Sequence, residues 1–219
     1  MNMDKKPAKA SSEEIAYAEI LKLIYERKFK PGDFLQENLL SEMLGMSRTP
    51  INRALSRMNF EGILERKKKK GCYIPFVDPR DGQQLFSLRK LIEGQVAWEA
   101  AHACTAEDLD KLMQINAMDQ RALDKKDEDI YYSANRDFHF TLAESIGNRH
   151  LERITKQLFK QTLIYIFFFD NFYRRPLEYK IETPVQHRTI LECIEKKDAR
   201  GAREAMEGHI AHTMLMFER

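Results

Sequence analysis

Residues 36–58, QENLLSEMLGMSRTPINRALSRM, decide the fold, because they predict two short helices joined by a tight turn. Gly45 readily adopts the positive φ found just past a helix end, and Ser47 is placed to cap the second helix. Each helix has an apolar face, formed by Leu39, Leu40, Met43 and Leu44 in the first and by Ile51, Ala54, Leu55 and Met58 in the second. The stretch therefore predicts a helix-turn-helix.

The opposite face of the second helix is polar and basic, and it comprises Arg48, Thr49, Asn52, Arg53, Ser56 and Arg57. Arginine can bind guanine edges or phosphates, asparagine can pair with adenine, and the first-turn amides of a helix can bind a phosphate. This face therefore predicts DNA binding. The alternative is an ordinary helical hairpin with a solvated basic face, and the flanking sequence distinguishes the two.

The flanking segments predict a winged helix. Upstream, Ser11 and Glu14 form a capping box at the start of a helix whose apolar stripe is Tyr17, Ile20, Leu21 and Ile24. Downstream, residues 63–66 and 72–74 predict two strands around a tip that contains Lys67, Lys68, Lys69 and Lys70. A lysine run is usually a solvated loop, but at a hairpin tip beside a recognition helix it can reach phosphate or the minor groove.

Charge is unevenly distributed along the 219 residues, whose net charge is +2. Residues 1–77 carry 15 Lys and Arg against 10 Asp and Glu, a net charge of +5, whereas residues 78–219 carry 21 against 24, a net charge of −3. A basic module joined to an acidic one suits a protein that binds nucleic acid at one end and another ligand at the other. We expect a flexible tail at 1–10, a DNA-binding domain at 11–77, a linker at 78–81 and a second domain at 82–219.

Cysteine usage and hydropathy favour a cytoplasmic protein without a membrane segment. The three cysteines are far apart and form no CxxC pair, so neither a disulfide framework nor a cysteine zinc site is indicated. No apolar run in the sequence approaches the length of a membrane span.

The second domain contains few glycines and no strand-like alternation. It predicts six helices, at 81–103, 106–125, 127–146, 148–170, 176–196 and 198–218. Helices joined by short connections pack antiparallel, so we expect an all-α antiparallel six-helix bundle within a mainly α protein. The aromatic residues between 165 and 173 are expected to serve core or dimer packing rather than a ligand pocket.

Three histidines and an asparagine from separate helices of this bundle could meet in space. Asn135 and His139 are four residues apart and project from one helix face, while His187 and His209 lie on two later helices. Bundle cores assemble metal sites from facing helices in this way. The alternative is that these are scattered surface or hydrogen-bonded histidines. Among the remaining histidines, His212 is a weaker candidate for a ligand. His102 and His150 are expected to be structural or exposed.

Together these segments resemble the GntR superfamily of bacterial transcription regulators, in the FadR subfamily with an all-helical FCD ligand-binding domain. PGDFLQENLLSEMLGMSRTPINRALSRMNFEGIL at 31–64 is similar to the family's DNA-binding pattern. NRDFHFTLAESIGNRHL at 135–151 and QHRTILECIEKKDARGAREAMEGHI at 186–210 resemble its FCD signatures. The resemblance spans residues 12–218, and six helices rather than seven resembles the VanR-like branch.

On the DNA-binding side, the resemblance implies contacts from Arg48, Thr49 and Asn52, with the wing lysines on the backbone or in the minor groove. The family usually has Arg followed by Glu where this chain has Asn52 followed by Arg53. Because asparagine favours adenine and arginine favours guanine, we expect this regulator to differ from its relatives in the operator that it chooses.

In the second domain, the resemblance implies a metal site that is usually built from one Asp and three His. That site maps onto Asn135, His139, His187 and His209. Asn135 offers a neutral oxygen in place of the carboxylate, and a His-rich, oxygen-completed site suits a divalent ion such as Zn or Ni. Arg89 matches an arginine near the family's ligand pocket and could clamp an effector carboxylate, the alternative being a surface pair with Glu93.

The sequence thus predicts a homodimeric repressor that leaves a palindromic double-stranded DNA operator when a small organic acid binds at the metal. A metal-sensing regulator without an organic effector is an alternative. A metal-dependent hydrolase needs a general base beside the metal-bound water, and the sequence places no second carboxylate at a suitable spacing next to the histidines. The protein is therefore not expected to be an enzyme.

Overall fold

The computed structural model describes residues 10–125, 127–169 and 182–214 of the chain. The chain divides into two compact units, with the boundary between Phe76 and Val77. Within the described ranges there are nine α-helices and two β-strands, so the prediction of a mainly α protein is confirmed. Among the described helices, none is long and apolar enough to cross a membrane.

The first unit is a winged helix-turn-helix, as predicted. Its elements are α1 (Ser12–Tyr25), α2 (Glu37–Leu44), α3 (Arg48–Phe60), β1 (Glu65–Lys67) and β2 (Gly71–Tyr73). The two strands pair antiparallel, with Glu65 opposite Tyr73. The first strand begins two residues later than predicted, because Ile63 and Leu64 are buried in the core instead of extending the wing.

Local sequence signals account for most of the helix ends in this unit. The capping box of Ser11 and Glu14 is present at the start of α1. Gly45 ends α2 with a φ of 62°, the left-handed conformation that glycine adopts without strain. Ser47 occupies the cap position of α3, but its side chain forms no capping hydrogen bond with the described residues, so that part of the prediction is wrong.

The core of the first unit forms around α3. Its four predicted apolar residues are all buried, and they pack with the buried face of α1: Ile51, Ala54, Leu55, Met58, Ala16, Ile20 and Ile24. Leu40 of α2 joins this core, whereas Leu39 and Met43 are 42% and 44% exposed. The predicted apolar face of α2 is therefore buried only in part, at Leu40 and partly at Leu44.

The second unit is a helical bundle, as predicted. Its helices are α4 (Pro79–Ala103), α5 (Ala106–Lys125), α6 (Glu128–Ser145), α7 (Arg149–Phe169), α8 (Glu182–Glu195) and α9 (Ala199–Met214). The expected linker at 78–81 is instead the start of α4, because Asp78 caps the helix and Pro79 occupies its first turn, where a missing N–H costs nothing. The tail at 1–9, the start of the fifth predicted helix at 176–181 and the end of the sixth at 215–218 lie outside the described residues.

Helix α4 packs against four other helices of the bundle, α9, α7, α6 and α8. The core contains Phe86, Phe138, Leu142, Ile190 and Met206, together with Tyr165, whose hydroxyl donates to Asp81. Tyr165 is therefore a core residue, as expected. Most other aromatic side chains between 166 and 173 lie outside the described residues. Several buried residues at the middle of the bundle are polar, namely Arg89, Glu93, Asp119, His139, His187 and His209.

Candidate metal centre and nucleic-acid interface

Three histidines from three helices converge inside the bundle. His139 on α6, His187 on α8 and His209 on α9 are 2%, 0% and 5% exposed. One ring nitrogen from each lies within 4.8 Å of the others. The Nε2 atoms of His139 and His209 are 3.3 Å apart, and the ring of His187 stacks on Phe138 with centroids 3.8 Å apart. The structure therefore brings together the three histidines that the sequence singled out.

An oxygen atom lies beside the Nδ1 atom of each of these histidines. Glu93 contacts Nδ1 of His139, Asp119 Oδ2 lies 3.4 Å from Nδ1 of His187, and Gln186 Oε1 lies 2.8 Å from Nδ1 of His209. An acceptor at Nδ1 favours the tautomer with its proton there, which leaves a lone pair on Nε2 for a metal ion.

Burial of the three imidazoles favours their neutral form. Burial lowers the pKa of His187 and of His209 well below the ordinary value, and neighbouring histidines lower both further. Burial also lowers the pKa of His139, although the carboxylate of Glu93 opposes the shift. Metal ions bind the neutral form of imidazole, so these shifts suit a ligand role.

Asn135 lies one turn before His139, next to the cluster. Its Oδ1 atom is buried without a hydrogen-bond partner among the described residues, and so is Nε2 of His187. Asn135, His139, His209 and Arg89 all line one cavity of about 30 Å³, which exceeds the space that one water needs. Buried acceptors without donors fit a bound cation, so three imidazoles and one amide oxygen can serve as the donor set for a divalent metal.

Arg89 and Glu93 form a pair, but not on the surface as the alternative interpretation assumed. Their side chains are 3% and 2% exposed, and Arg89 Nε lies 2.6 Å from Glu93 Oε1. The guanidinium also lies over the ring of Phe159, 4.7 Å from its centroid. Burial would raise the pKa of Glu93, but Arg89 and His139 lower it to about 2. Glu93 therefore links the cavity arginine to a histidine of the cluster.

Sequence reasoning missed the roles of Glu93 and Asp119, which lie close to the histidines in space although not along the sequence. Both carboxylates are buried beside the histidines, although on the Nδ1 side rather than toward the shared centre. A signal was available for Asp119, since Leu112, Asn116 and Asp119 recur at helical spacing on the inward face of α5. A carboxylate on an apolar face is uncommon unless it has a partner.

The other histidines lie outside the cluster. His212 pairs with Glu182 at 3.1 Å and is partly exposed. His102 packs on the edge of Trp98, and His150 is exposed.

On the first unit, the exposed face of α3 carries most of the predicted DNA contacts. Arg48, Thr49, Asn52 and Arg53 are exposed. The side-chain amide of Asn52 donates to Glu37 on α2 at 2.5 Å, a contact that the sequence did not predict. The candidate adenine reader therefore has one of its two N–H groups already engaged by a carboxylate.

Arg57 differs from the other predicted contacts. Its guanidinium lies 4.6 Å from the ring centroid of Tyr17 on α1, and its Nε donates to Glu61 at 3.2 Å. These two contacts engage Arg57 within the domain while its side chain remains 40% exposed, so its role as a DNA-contacting residue stays a prediction.

The wing presents its lysines to solvent. Lys67, Lys68, Lys69 and Lys70 are all exposed, and Lys69 adopts a φ of 67° at the tip. Arg66 on β1 donates to Ser56 of α3 at 3.0 Å. That bond holds the base of the wing beside the recognition helix, where its cations can reach a DNA backbone.

Comparison with known proteins agrees with this architecture. Residues 12–74 match the family described as bacterial regulatory proteins, gntR family, and residues 84–212 match the FCD domain. The Uxu operon regulator of Haemophilus influenzae is 32% identical over 205 residues, which cover 85% of this chain and 75% of the relative. The Uxu operon transcriptional regulator of Escherichia coli is 27% identical over 215 residues, which cover 88% of this chain and 81% of the relative.

Among solved structures, the E. coli protein McbR/YncC shares the fold, with a TM-score of 0.80, 21% identity, and coverage of 96% of this chain and 98% of that one. The fold and the two matched domains define a DNA-binding transcription regulator. The chain belongs to the gntR family of bacterial regulatory proteins, among the members that carry an FCD domain. The predicted family is therefore confirmed.

Proposed function

We propose that this protein is a cytoplasmic, homodimeric repressor that leaves a palindromic operator when a small carboxylate binds at a metal ion in the FCD domain. His139, His187 and His209, with Asn135, would hold the ion, and Zn or Ni suits their nitrogen-rich set. The observation that carries the proposal is the convergence of three buried imidazoles whose nitrogens lie within 4.8 Å of one another.

When bound, a divalent ion with this ligand set retains open coordination positions that carboxylate oxygens can occupy. Arg89 lines the same cavity, and Glu93 engages its Nε. A guanidinium has five N–H donors, so Arg89 can bind an effector carboxylate while it keeps its pair with Glu93. These residues would select a small organic acid by charge and by its oxygen positions.

Communication with DNA needs only a modest energy. A coupling of about 1–3 kcal/mol between two sites changes affinity by roughly 5- to 150-fold. Every helix of the bundle contributes a residue to the cluster or its immediate surroundings, including Thr162 of α7, which accepts from Arg89. Ligand binding could therefore shift several helices at once.

An apolar stripe on the outer side of α4 supports the homodimer. Leu88, Leu91 and Trp98 are 42%, 66% and 37% exposed and recur at helical spacing. Such a row is costly to leave in water, and a second copy of the chain would cover it symmetrically. A symmetric dimer would place two copies of α3 on two half-sites, which is why we expect a palindromic operator.

A metal sensor without an organic effector is a second candidate, and the size of the cavity favours it. A volume of about 30 Å³ exceeds the space that one water needs but leaves little room for an organic acid unless the cavity opens. In that case operator affinity would depend on the metal concentration and would not respond to organic acids.

A thermal-shift screen of small carboxylates, run with and without chelator, separates the two. A carboxylate that raises the unfolding temperature in metal-loaded protein, and loses that effect on chelation, supports the effector proposal. Stabilisation by metal without a response to any carboxylate would support the metal sensor. Stabilisation by a carboxylate that chelator leaves unchanged would contradict the metal-held effector site.

A further inference from the structure

Asp119 is a buried carboxylate without an evident stabilising partner. Its side chain is 0% exposed, and neither of its oxygens has a hydrogen-bond partner among the described residues. Nδ1 of His187 lies 3.4 Å from Oδ2, but the two atoms do not form a hydrogen bond. Burying a carboxylate without donors or a cation costs stability, so an explanation in terms of folding alone is insufficient.

The charges around the three histidines show what is missing. The four proposed ligands are neutral, since they are three imidazoles and the amide of Asn135. Glu93 is ionised but already pairs with Arg89. Among the buried residues that the structure describes, Asp119 is thus the carboxylate beside the cluster that no arginine or lysine offsets. A divalent ion at the three imidazoles would supply the absent positive charge.

We propose that Asp119 is a positioning residue of the metal centre that acts through His187. With an ion bound, the carboxylate would accept the Nδ1–H of His187, whose Nδ1 lies 3.4 Å from Oδ2, keep its Nε2 directed toward the ion, and supply the negative charge that the neutral ligand set lacks. A carboxylate behind a histidine raises the basicity of that histidine and fixes its ring, and removing such a partner typically weakens metal binding by about 10- to 100-fold. This inference rests on the metal-binding role proposed above.

The geometry of His187 is consistent with this assignment. Phe138 stacks on the ring with an interplanar angle of 10°, which restricts the ring to one plane but does not decide which nitrogen faces inward. An acceptor beside one ring nitrogen decides which nitrogen faces inward. Glu93 and Gln186 occupy the equivalent positions behind His139 and His209, so the three histidines share one arrangement.

The test is a competition titration with Zn²⁺ and a chromophoric chelator on the full-length protein. Asp119→Asn keeps the size of the side chain and removes its charge, and Asp110→Asn makes the same change on the exposed face of α5 as a control. We expect Asp119→Asn to bind Zn²⁺ about 10- to 100-fold more weakly and Asp110→Asn to bind it like the wild type. In the presence of chelator, which removes the metal, Asp119→Asn should unfold at a urea concentration no lower than that of the wild type.

A negative charge placed at Asn135, the neutral oxygen ligand, tests whether the lost Zn²⁺ affinity can be rescued. Asn135→Asp in the Asp119→Asn background should restore most of the lost Zn²⁺ affinity, because it returns one negative charge to the centre. Equal Zn²⁺ affinity of the wild type and Asp119→Asn would overturn the role of Asp119 while leaving the metal site intact. A destabilised Asp119→Asn that is not rescued would indicate a structural role and would also overturn it. Failure of the wild type itself to bind Zn²⁺ would instead refute the proposed metal site.

Discussion

The Nε2 atoms of His139 and His209 face each other at 3.3 Å. Each ring has an oxygen beside its Nδ1, and when that oxygen accepts a proton from Nδ1, the Nε2 atom of the same ring carries a lone pair. Without metal, a proton on either Nε2 lets the two atoms form a hydrogen bond. A metal ion would replace that single hydrogen bond with two coordinate bonds.

Zinc should accordingly stabilise the wild-type protein against unfolding. At a free concentration about 100 times the dissociation constant, a ligand that binds the folded state adds roughly 2.7 kcal/mol to the free energy of unfolding. We expect His209→Ala to lose this gain and the exposed His102→Ala to keep it. Urea unfolding with and without Zn²⁺ measures the difference, and an equal gain in His209→Ala would place the ion elsewhere.

The buried pair of Arg89 and Glu93 should be far more important for stability than an exposed pair of the same type. Glu93→Gln leaves the guanidinium buried without its counter-ion, a change that typically costs about 3–5 kcal/mol. Arg200 and Glu204 form an exposed i,i+4 pair, so Glu204→Gln should change stability far less than Glu93→Gln. Urea unfolding in chelator compares the two variants. Similar losses of stability in the two variants would mean that Arg89 pairs with another group when Glu93 is replaced.

Two arginines of the recognition helix should behave differently. Arg48 is exposed at the start of α3, so Arg48→Ala should weaken operator binding by about 1–3 kcal/mol if it reads a base, or reduce the salt dependence if it binds a phosphate. Arg57→Ala should instead lower the stability of the first unit by roughly 1 kcal/mol, since it removes the contacts with Tyr17 and Glu61. DNA titrations at several salt concentrations, with thermal unfolding, distinguish the two. A larger DNA-binding defect in Arg57→Ala would restore it as a contact residue.

Glu37 should influence which base Asn52 recognises. The carboxylate holds one N–H of the Asn52 amide, which fixes how the remaining N–H and the oxygen are presented. We expect Glu37→Ala to relax base preference at one position of each half-site without abolishing binding. Selection from a random DNA library, performed with both proteins, measures this. Identical selected sequences would show that Glu37 does not orient Asn52 on DNA.

Helical periodicity was sufficient to predict the core of the first unit but not the partners of its polar side chains. The spacing of Ile51, Ala54, Leu55 and Met58 fixes one inward face, because an α-helix repeats every 3.6 residues. The same rule failed for Leu39 and Met43, because a short helix at the edge of a domain has fewer neighbours to cover it. Arg57 lies at the margin of the exposed face, where the position of α1 decides its environment.

In the second unit, the sequence predicted the ligand candidates but not the residues behind them. His139, His187 and His209 stand out because imidazoles are few and their motifs resemble a known family. Glu93 and Asp119 contact histidines 46 and 68 residues away along the chain, and no local pattern encodes such pairings. Their positions on inward helix faces indicated burial, and the three-dimensional arrangement was needed to show what they touch.

The most direct test of the central claim is the operator affinity of the wild type and of His139→Ala, measured by fluorescence anisotropy with the carboxylate that gives the largest thermal shift. We expect the carboxylate to weaken wild-type binding by about 5- to 150-fold, and this effect to vanish in His139→Ala and after chelation, while both proteins bind DNA equally without it. An equal response to the carboxylate in His139→Ala would contradict control of DNA binding through the metal centre.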